Sequence, residues 1–194
     1  FYGGETAQKD GEKFQKDNDL PIKASSAIKF GSDFSQTKVL TAKDKVKNVL
    51  KKYGISENYI LTVGTIEARK NQRILYEAYL IMQERTRNKE NIPQVIICGH
   101  PGWRTEEFRH LLQVDNRTRG KVIQLTPSDD ELDIWYRKCR FTALPSFYEG
   151  WSITLPDSLN YRNFCLAAAP PSCTDVGQFL IVYVTPIVPI HWSI

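Results

Sequence analysis

From Tyr59 onward, short and almost unbroken apolar runs alternate with longer segments of helical period, and this alternation restricts the chain to few folds. The runs are YILTVG (59–64), QVIICG (94–99), KVIQL (121–125), FTALPS (141–146) and CLAAA (165–169). Between them, 70–86, 104–114, 128–138 and 154–161 space their apolar residues as one helix face does. A strand that is apolar on both sides must be covered on both, which a parallel sheet with crossover helices achieves. The pattern therefore predicts an α/β protein with a Rossmann-like, doubly wound parallel sheet. One helix start is explicit: Ser128 followed by Glu131 forms a capping box ahead of Leu132, Ile134 and Trp135.

The 194 residues suffice for one well-buried domain and an appendage. Residues 1–56 are polar and lysine-rich and read as a linker region, with Ile22, Ile28 and Phe30 around one apolar patch. The linker ends in an amphipathic helix that carries Val46, Val49, Leu50 and Tyr53 and is capped by Gly54. Residues 57–194 form the ligand-binding domain, expected to be truncated at its C-terminus. The apolar run IVYVTPIVPIHWSI is expected to pack on something outside the chain.

A net charge of +4, with the lysines concentrated before Tyr53 and no RNP or zinc-finger pattern, argues against a nucleic-acid partner. Cys98, Cys139, Cys165 and Cys173 form no C-x-x-C pair and read as free thiols of a reducing compartment. No apolar stretch is long enough to span a bilayer and the N-terminus has no signal-like region, so a cytoplasmic location is expected.

Ligands of doubly wound sheets bind at the carboxyl ends of the strands, which directs attention to the loops at Gly64, Gly99, Leu125 and Pro145. After the first strand, GTIEARKN offers a glycine turn at Gly64 and two cations, Arg69 and Lys70, at the start of the next helix. Two such cations suit a diphosphate, and on spacing alone they suit a solvated helix start equally well. Neither G-x-G-x-x-G nor a P-loop pattern occurs, which removes the main warrant for a dinucleotide dehydrogenase or P-loop NTPase. GHPGW reads as a tight turn with a packed indole, and His100 and His110 lack partners at zinc-ligand spacing, so no metal is assigned. After the fourth strand, Glu149 and Gly150 fall on a loop and Asp157 in the next helix. Carboxylates can accept from neighbouring sugar hydroxyls, and N–H groups of Trp151, Ser152 and Ile153 can face a phosphate. In such a region a Glu and an Asp are surface charges about as often.

YILTVGTIEARKN and LPSFYEGWSITLPDSL, with VIICGHPGW and VIQLTPSDDELDIWYRKC between them, resemble family 4 (group 1) glycosyltransferases. The first looks like that family's E-P-R-K-N element, the second like its P-S-x-x-E-G-F-G-L-P-x-x-E-A element. CTDVGQFLIVYVTP loosely follows its P-E-V-G-G-D-x-x-x-Y-V-D-P segment, and residues 11–34 resemble the close of its N-terminal domain. The resemblance implies a retaining GT-B enzyme, of which this chain is the C-terminal, donor-binding half. It implies that Lys70 and Arg69 neutralise the donor diphosphate with amides near Ser152 and Ile153. By the same resemblance, Glu149 binds the sugar hydroxyls, Asp157 the ribose, and the backbone near Leu125 and Thr126 the base. Lys70 and Glu149 become the catalytic candidates. Thr65 stands where many members carry a second arginine, Ser152 replaces a glycine, and Asp157 replaces a glutamate one methylene longer.

The expected function is hexosyl transfer from a UDP- or GDP-sugar, without a cofactor, to a saccharide or glycoconjugate acceptor held by an N-terminal domain missing from the chain. The isolated chain would then be inactive, and the full-length protein has room for peripheral membrane contact. A non-catalytic nucleotide-sugar-binding domain is the alternative, and a sugar-nucleotide epimerase or other α/β nucleotide-binding domain a more distant one.

Overall fold

A computed structural model describes residues 1–21, 24–29, 31, 43–168 and 181–193. Among the described residues, six strands form one parallel sheet: β3 (Tyr59–Val63), β4 (Gln94–Cys98), β5 (Val122–Leu125), β6 (Phe141–Leu144), β7 (Cys165–Ala168) and β8 (Val182–Val184). Their order is β5-β4-β3-β6-β7-β8, and Leu61 of the central strand pairs with Ile96 on one side and Thr142 on the other. The predicted doubly wound α/β architecture is therefore present. β1 (Tyr2–Gly3) and β2 (Ala27–Ile28) make a separate small parallel pair joined by α1 (Glu5–Asp17).

Side chains alternate across β3 with a period of two and feed two cores. Ile60 faces α3 (Arg73–Arg85) and α4 (Glu106–Val114), where Ile74, Leu75, Tyr79, Met82 and Phe108 are buried. Tyr59 and Leu61 face the opposite side, where α5 (Asp129–Lys138) contributes Ile134 and Trp135 and α2 (Lys43–Tyr53) contributes Val46, Val49 and Leu50. The helix read as the end of a linker thus packs on the sheet. Tyr53 meets the Trp135 ring edge-on at 5.7 Å and donates to Glu131, which also takes a 2.7 Å ion pair from Lys52. The capping box at Ser128 and Glu131 forms as its spacing predicts.

Four readings change. The helix expected from residue 70 begins at Arg73, because a 3₁₀ turn at Ala68–Lys70 ends in Asn71, whose left-handed φ of 54° breaks the helical path. The indole of GHPGW is not packed: Trp103 is 75% exposed, with Arg104 lying 4.4 Å from its ring centroid. β8 lies inside the run read only as an apolar end. From that same run Trp192 turns back into the α3-side core, is 1% exposed, and donates to the Thr185 carbonyl at 3.1 Å. Ile181 and Trp192 of this run are thus buried within the chain, while Val182, Ile187 and Ile190 stay exposed. Ile22, Phe30, Cys173 and the segment 169–180 lie outside the described residues.

Candidate functional site

The chain leaves β3 toward β4 and β5, then returns to place β6 on the other flank of β3. At such a reversal the two outgoing loops diverge and leave a crevice at the strands' carboxyl ends. Here those loops are the turn at 64–70 and the segment 145–153.

Backbone packing fixes the first loop. Gly64, at φ 138°, donates to the Cys98 carbonyl at 2.9 Å, and a Cβ on Gly99 would fall on the Gly64 carbonyl oxygen. Only glycines allow these two strand ends to meet so closely. The Asn71 amide then ties the loop down, donating to the carbonyls of Pro145 (3.1 Å) and Pro186 (2.7 Å). The Phe147 N–H donates to the Arg69 carbonyl at 2.8 Å, which bonds the two loops to each other.

On this frame the two cations and the glutamate converge. The Lys70 side chain runs over Gly64 and ends 2.6 Å from Glu149 Oε1, while Arg69 reaches Glu149 Oε2 at 3.1 Å. The buried Ser146 hydroxyl donates to Oε1 at 2.6 Å. Glu149 is 4% exposed, so its carboxylate is held by these donors and not by bulk water. Oε1 accepts twice and Oε2 once, which leaves Oε2 room for one further donor. Arg69 also pairs with Glu67 at 3.0 Å, so two cations face two carboxylates. An arriving anion must therefore compete with Glu149 for Lys70.

The remaining predicted residues distribute around this cluster. Gly150 and Trp151 are covered by the N-terminal unit: a Cβ on Gly4 would lie 3.1 Å from the Gly150 oxygen and 3.1 Å from the Trp151 ring. The Tyr148 hydroxyl donates to Asp10 of α1 at 3.1 Å. Ser152 is buried, Ile153 is exposed, and Thr154, at the start of α6 (Thr154–Asn160), donates to the Val63 carbonyl at 3.2 Å. Asp157 is buried further along α6. Burial pushes the Tyr136 phenol well up, and the negative charge of Asp157 adds to that shift. Leu125 is buried at the end of β5, and Thr126 beside it is exposed, 3.4 Å from the Gly99 carbonyl.

The structure therefore brings Gly64, Arg69, Lys70 and Glu149 together, with Gly150 to Thr154 beside them. Ser146, Glu67, Asn71 and the Gly4 and Asp10 contacts were not read as site residues. Ser146 and Asn71 stand inside the quoted motifs and were legible there; the contacts from α1 carry no local signal.

Such a fold, with paired cations and a carboxylate at its switch point, defines a doubly wound α/β domain with a charged cluster at the carboxyl ends of its strands. The sequence pattern of the family described as glycosyl transferases group 1 matches residues 44–177, and the chain belongs to that family. It is 29% identical over 130 residues to the O-antigen chain mannosyltransferase B of Escherichia coli, covering 66% of this chain and 32% of that protein. The chain thus spans about a third of that relative's length. The structure is similar to Anabaena Alr3699/HepE in complex with UDP and glucose, with a TM-score of 0.72, 14% identity, and coverage of 95% of this chain and 50% of that one. It is also similar to the C-terminal domain of a glycosyl transferase group 1 family protein (LpcC) from Francisella tularensis, with a TM-score of 0.62, 15% identity, and 84% of each chain covered. Among the described residues no helix is long and apolar enough to cross a membrane.

Proposed function

We propose that the chain is the donor-binding half of a retaining glycosyltransferase that moves a hexosyl group from a UDP- or GDP-sugar to a saccharide or glycoconjugate acceptor. The observation that carries this reading is the Lys70, Arg69 and Glu149 cluster at the switch point. Lys70 and Arg69 neutralise the donor diphosphate and, as the glycosidic bond breaks, the charge that develops on it. Glu149 accepts from sugar hydroxyls, Asp157 from the ribose, and the backbone near Leu125 and Thr126 meets the base. Lys70 exchanges its partner from Glu149 to the diphosphate, which frees acceptor positions on Glu149 as the sugar arrives. Positioning and charge stabilisation carry the chemistry on this wall of the cleft, without a metal or cofactor.

The mannosyltransferase names of the relatives favour a mannosyl donor and a polysaccharide acceptor. Residues 57–194 act as the donor domain and residues 1–56 as the close of the acceptor domain and its linker, with the rest of that domain supplied by a longer protein. Transfer takes place in the cytoplasm, where sugar nucleotides are available, and the whole protein touches the membrane peripherally.

Titration of the chain with UDP, GDP and ADP tests the reading. Selective binding to one of them, lost in Lys70→Ala, is the expected result. Equal affinity before and after that substitution would remove the site assignment.

A further inference from the structure

Three contacts carry the N-terminal unit onto the loop that holds Glu149. Gly4, buried at φ 93°, lies so close that a Cβ there would meet the Gly150 carbonyl oxygen and the Trp151 ring, both at 3.1 Å. Six residues further on, within α1, Asp10 accepts from the Tyr148 hydroxyl at 3.1 Å. The unit that presents these groups is braced by its own contacts. α1 joins the parallel β1 and β2, a Cβ on Gly11 would collide with the Tyr2 ring, and the Gln8 amide and Ser25 hydroxyl both donate to Glu12.

Tyr148 is in turn one bond from the charged cluster. Its carbonyl accepts from Arg69 Nη1 at 3.1 Å, and the same nitrogen donates to Glu149 Oε2 at 3.1 Å. A path of hydrogen bonds therefore runs from Asp10 through Tyr148 and Arg69 to Glu149. The Lys70 turn has anchors of its own, the Gly64 N–H on the Cys98 carbonyl and the Asn71 amide on Pro145 and Pro186.

We propose that Asp10 is a positioning residue whose bond to Tyr148 holds the Glu149 carboxylate and the Arg69 guanidinium where a sugar nucleotide meets them, an assignment that rests on the donor-site reading above. The contact is exposed, so the bond itself is modest. Its effect comes from fixing in advance a loop that the ligand would otherwise have to order. The sugar, which meets Glu149, feels this more than the diphosphate at Lys70.

Asp10→Ala tests the assignment. Alanine is the better helix former inside α1, so the melting temperature should stay level or rise. Amide hydrogen exchange across residues 147–153, read by mass spectrometry, should become severalfold faster, with 64–70 less affected. Affinity for UDP-glucose or GDP-mannose, whichever base the unsubstituted chain binds, should fall about three- to fivefold by calorimetric titration, and that for the bare diphosphate about twofold or less. Asp10→Asn keeps an acceptor oxygen and should restore both exchange and affinity. Tyr148→Phe should reproduce Asp10→Ala, and the double variant should be no weaker than either. Unchanged exchange in 147–153 would overturn the assignment, and so would an equal loss for both ligands or a failure of Asp10→Asn to restore them. If Lys70→Ala abolishes binding and Asp10→Ala alters neither exchange nor affinity, only the Asp10 assignment falls. If the unsubstituted chain binds neither diphosphate nor sugar nucleotide, the donor-site reading falls and takes this assignment with it.

Discussion

Lys70 Nζ lies 2.6 Å from Glu149 Oε1, a contact between residues 79 apart in sequence, and Ser146 donates to the same oxygen at the same distance. Glu149 therefore holds the cation that a diphosphate would need. Glu149→Gln removes that competitor and keeps the shape of the side chain. A bare nucleoside diphosphate should then bind severalfold more tightly, while a sugar nucleotide loses that advantage because its hydroxyls lose a charged acceptor. Parallel calorimetric titrations of the two ligands measure the difference. The free protein should lose on the order of 2 kcal/mol in urea denaturation, since Lys70 keeps its charge in a site only 13% exposed.

The meeting of Gly64 and Gly99 sets the height of the Lys70 turn. A Cβ on Gly99 would collide with backbone, which cannot swing aside as a side chain can. Gly99→Ala should cost about 3 kcal/mol or prevent folding. Gly120→Ala is the contrast: its φ of 70° is unfavourable for alanine, yet nothing lies within 4 Å of the added carbon. That variant should lose only about 1–2 kcal/mol. Chemical denaturation of the pair separates a clash from a strained dihedral.

Loss of the Ser128 cap should be mild. Ser128→Ala removes the acceptor for the Glu131 N–H at the exposed start of α5 and should cost about 1 kcal/mol, seen as a shift of the denaturation midpoint without a change of slope.

Glu131 also gives the fold a pH dependence. The Lys52 ammonium hydrogen-bonded to it holds its carboxyl below the ordinary glutamate value, against a smaller opposing effect of burial. The unfolded chain therefore takes up this proton more readily than the folded one. The stabilisation is complete above the unfolded value of about 4.3 and is lost as pH falls through the lower folded value. The stability difference between the protein and its Glu131→Gln variant should accordingly shrink as pH is lowered from 6 toward about 3. A difference that is constant over this window would exclude the linkage.

The thiols of Cys98, Cys139 and Cys165 are free and should be inert. Burial pushes all three up, Cys139 to about 12 and Cys165 to about 11. Little thiolate exists at pH 8, and access is poor. Brief alkylation of the folded chain followed by peptide mass spectrometry should leave these three unmodified, with modification appearing only in denaturant.

The predicted strands and helices were legible because their signals are local. Apolar runs such as QVIIC specify strands buried on both faces, and Ser128 with Glu131 specifies a helix start wherever it occurs. The glycine turn and the R-K pair were legible in the same way. Trp103 and Trp192 were not: one indole ends in solvent and the other in the core, and neighbouring residues alone do not decide which. β8 is three residues long and becomes a strand only because β7 offers it an edge.

The sequence by itself determined the α/β alternation, the parallel sheet it requires, and the residue types proposed to meet an anion and a sugar, since each depends on periodicity or side-chain chemistry over a few positions. Only the tertiary structure decided that Lys70, Arg69 and Ser146 converge on Glu149, that Gly4 and Asp10 reach the same loop, and that Ser152 is buried with its hydroxyl unpartnered among the described residues. These relations arise where β6 turns back beside β3, and a strand order that reverses in space leaves no trace in the spacing of residues along the chain.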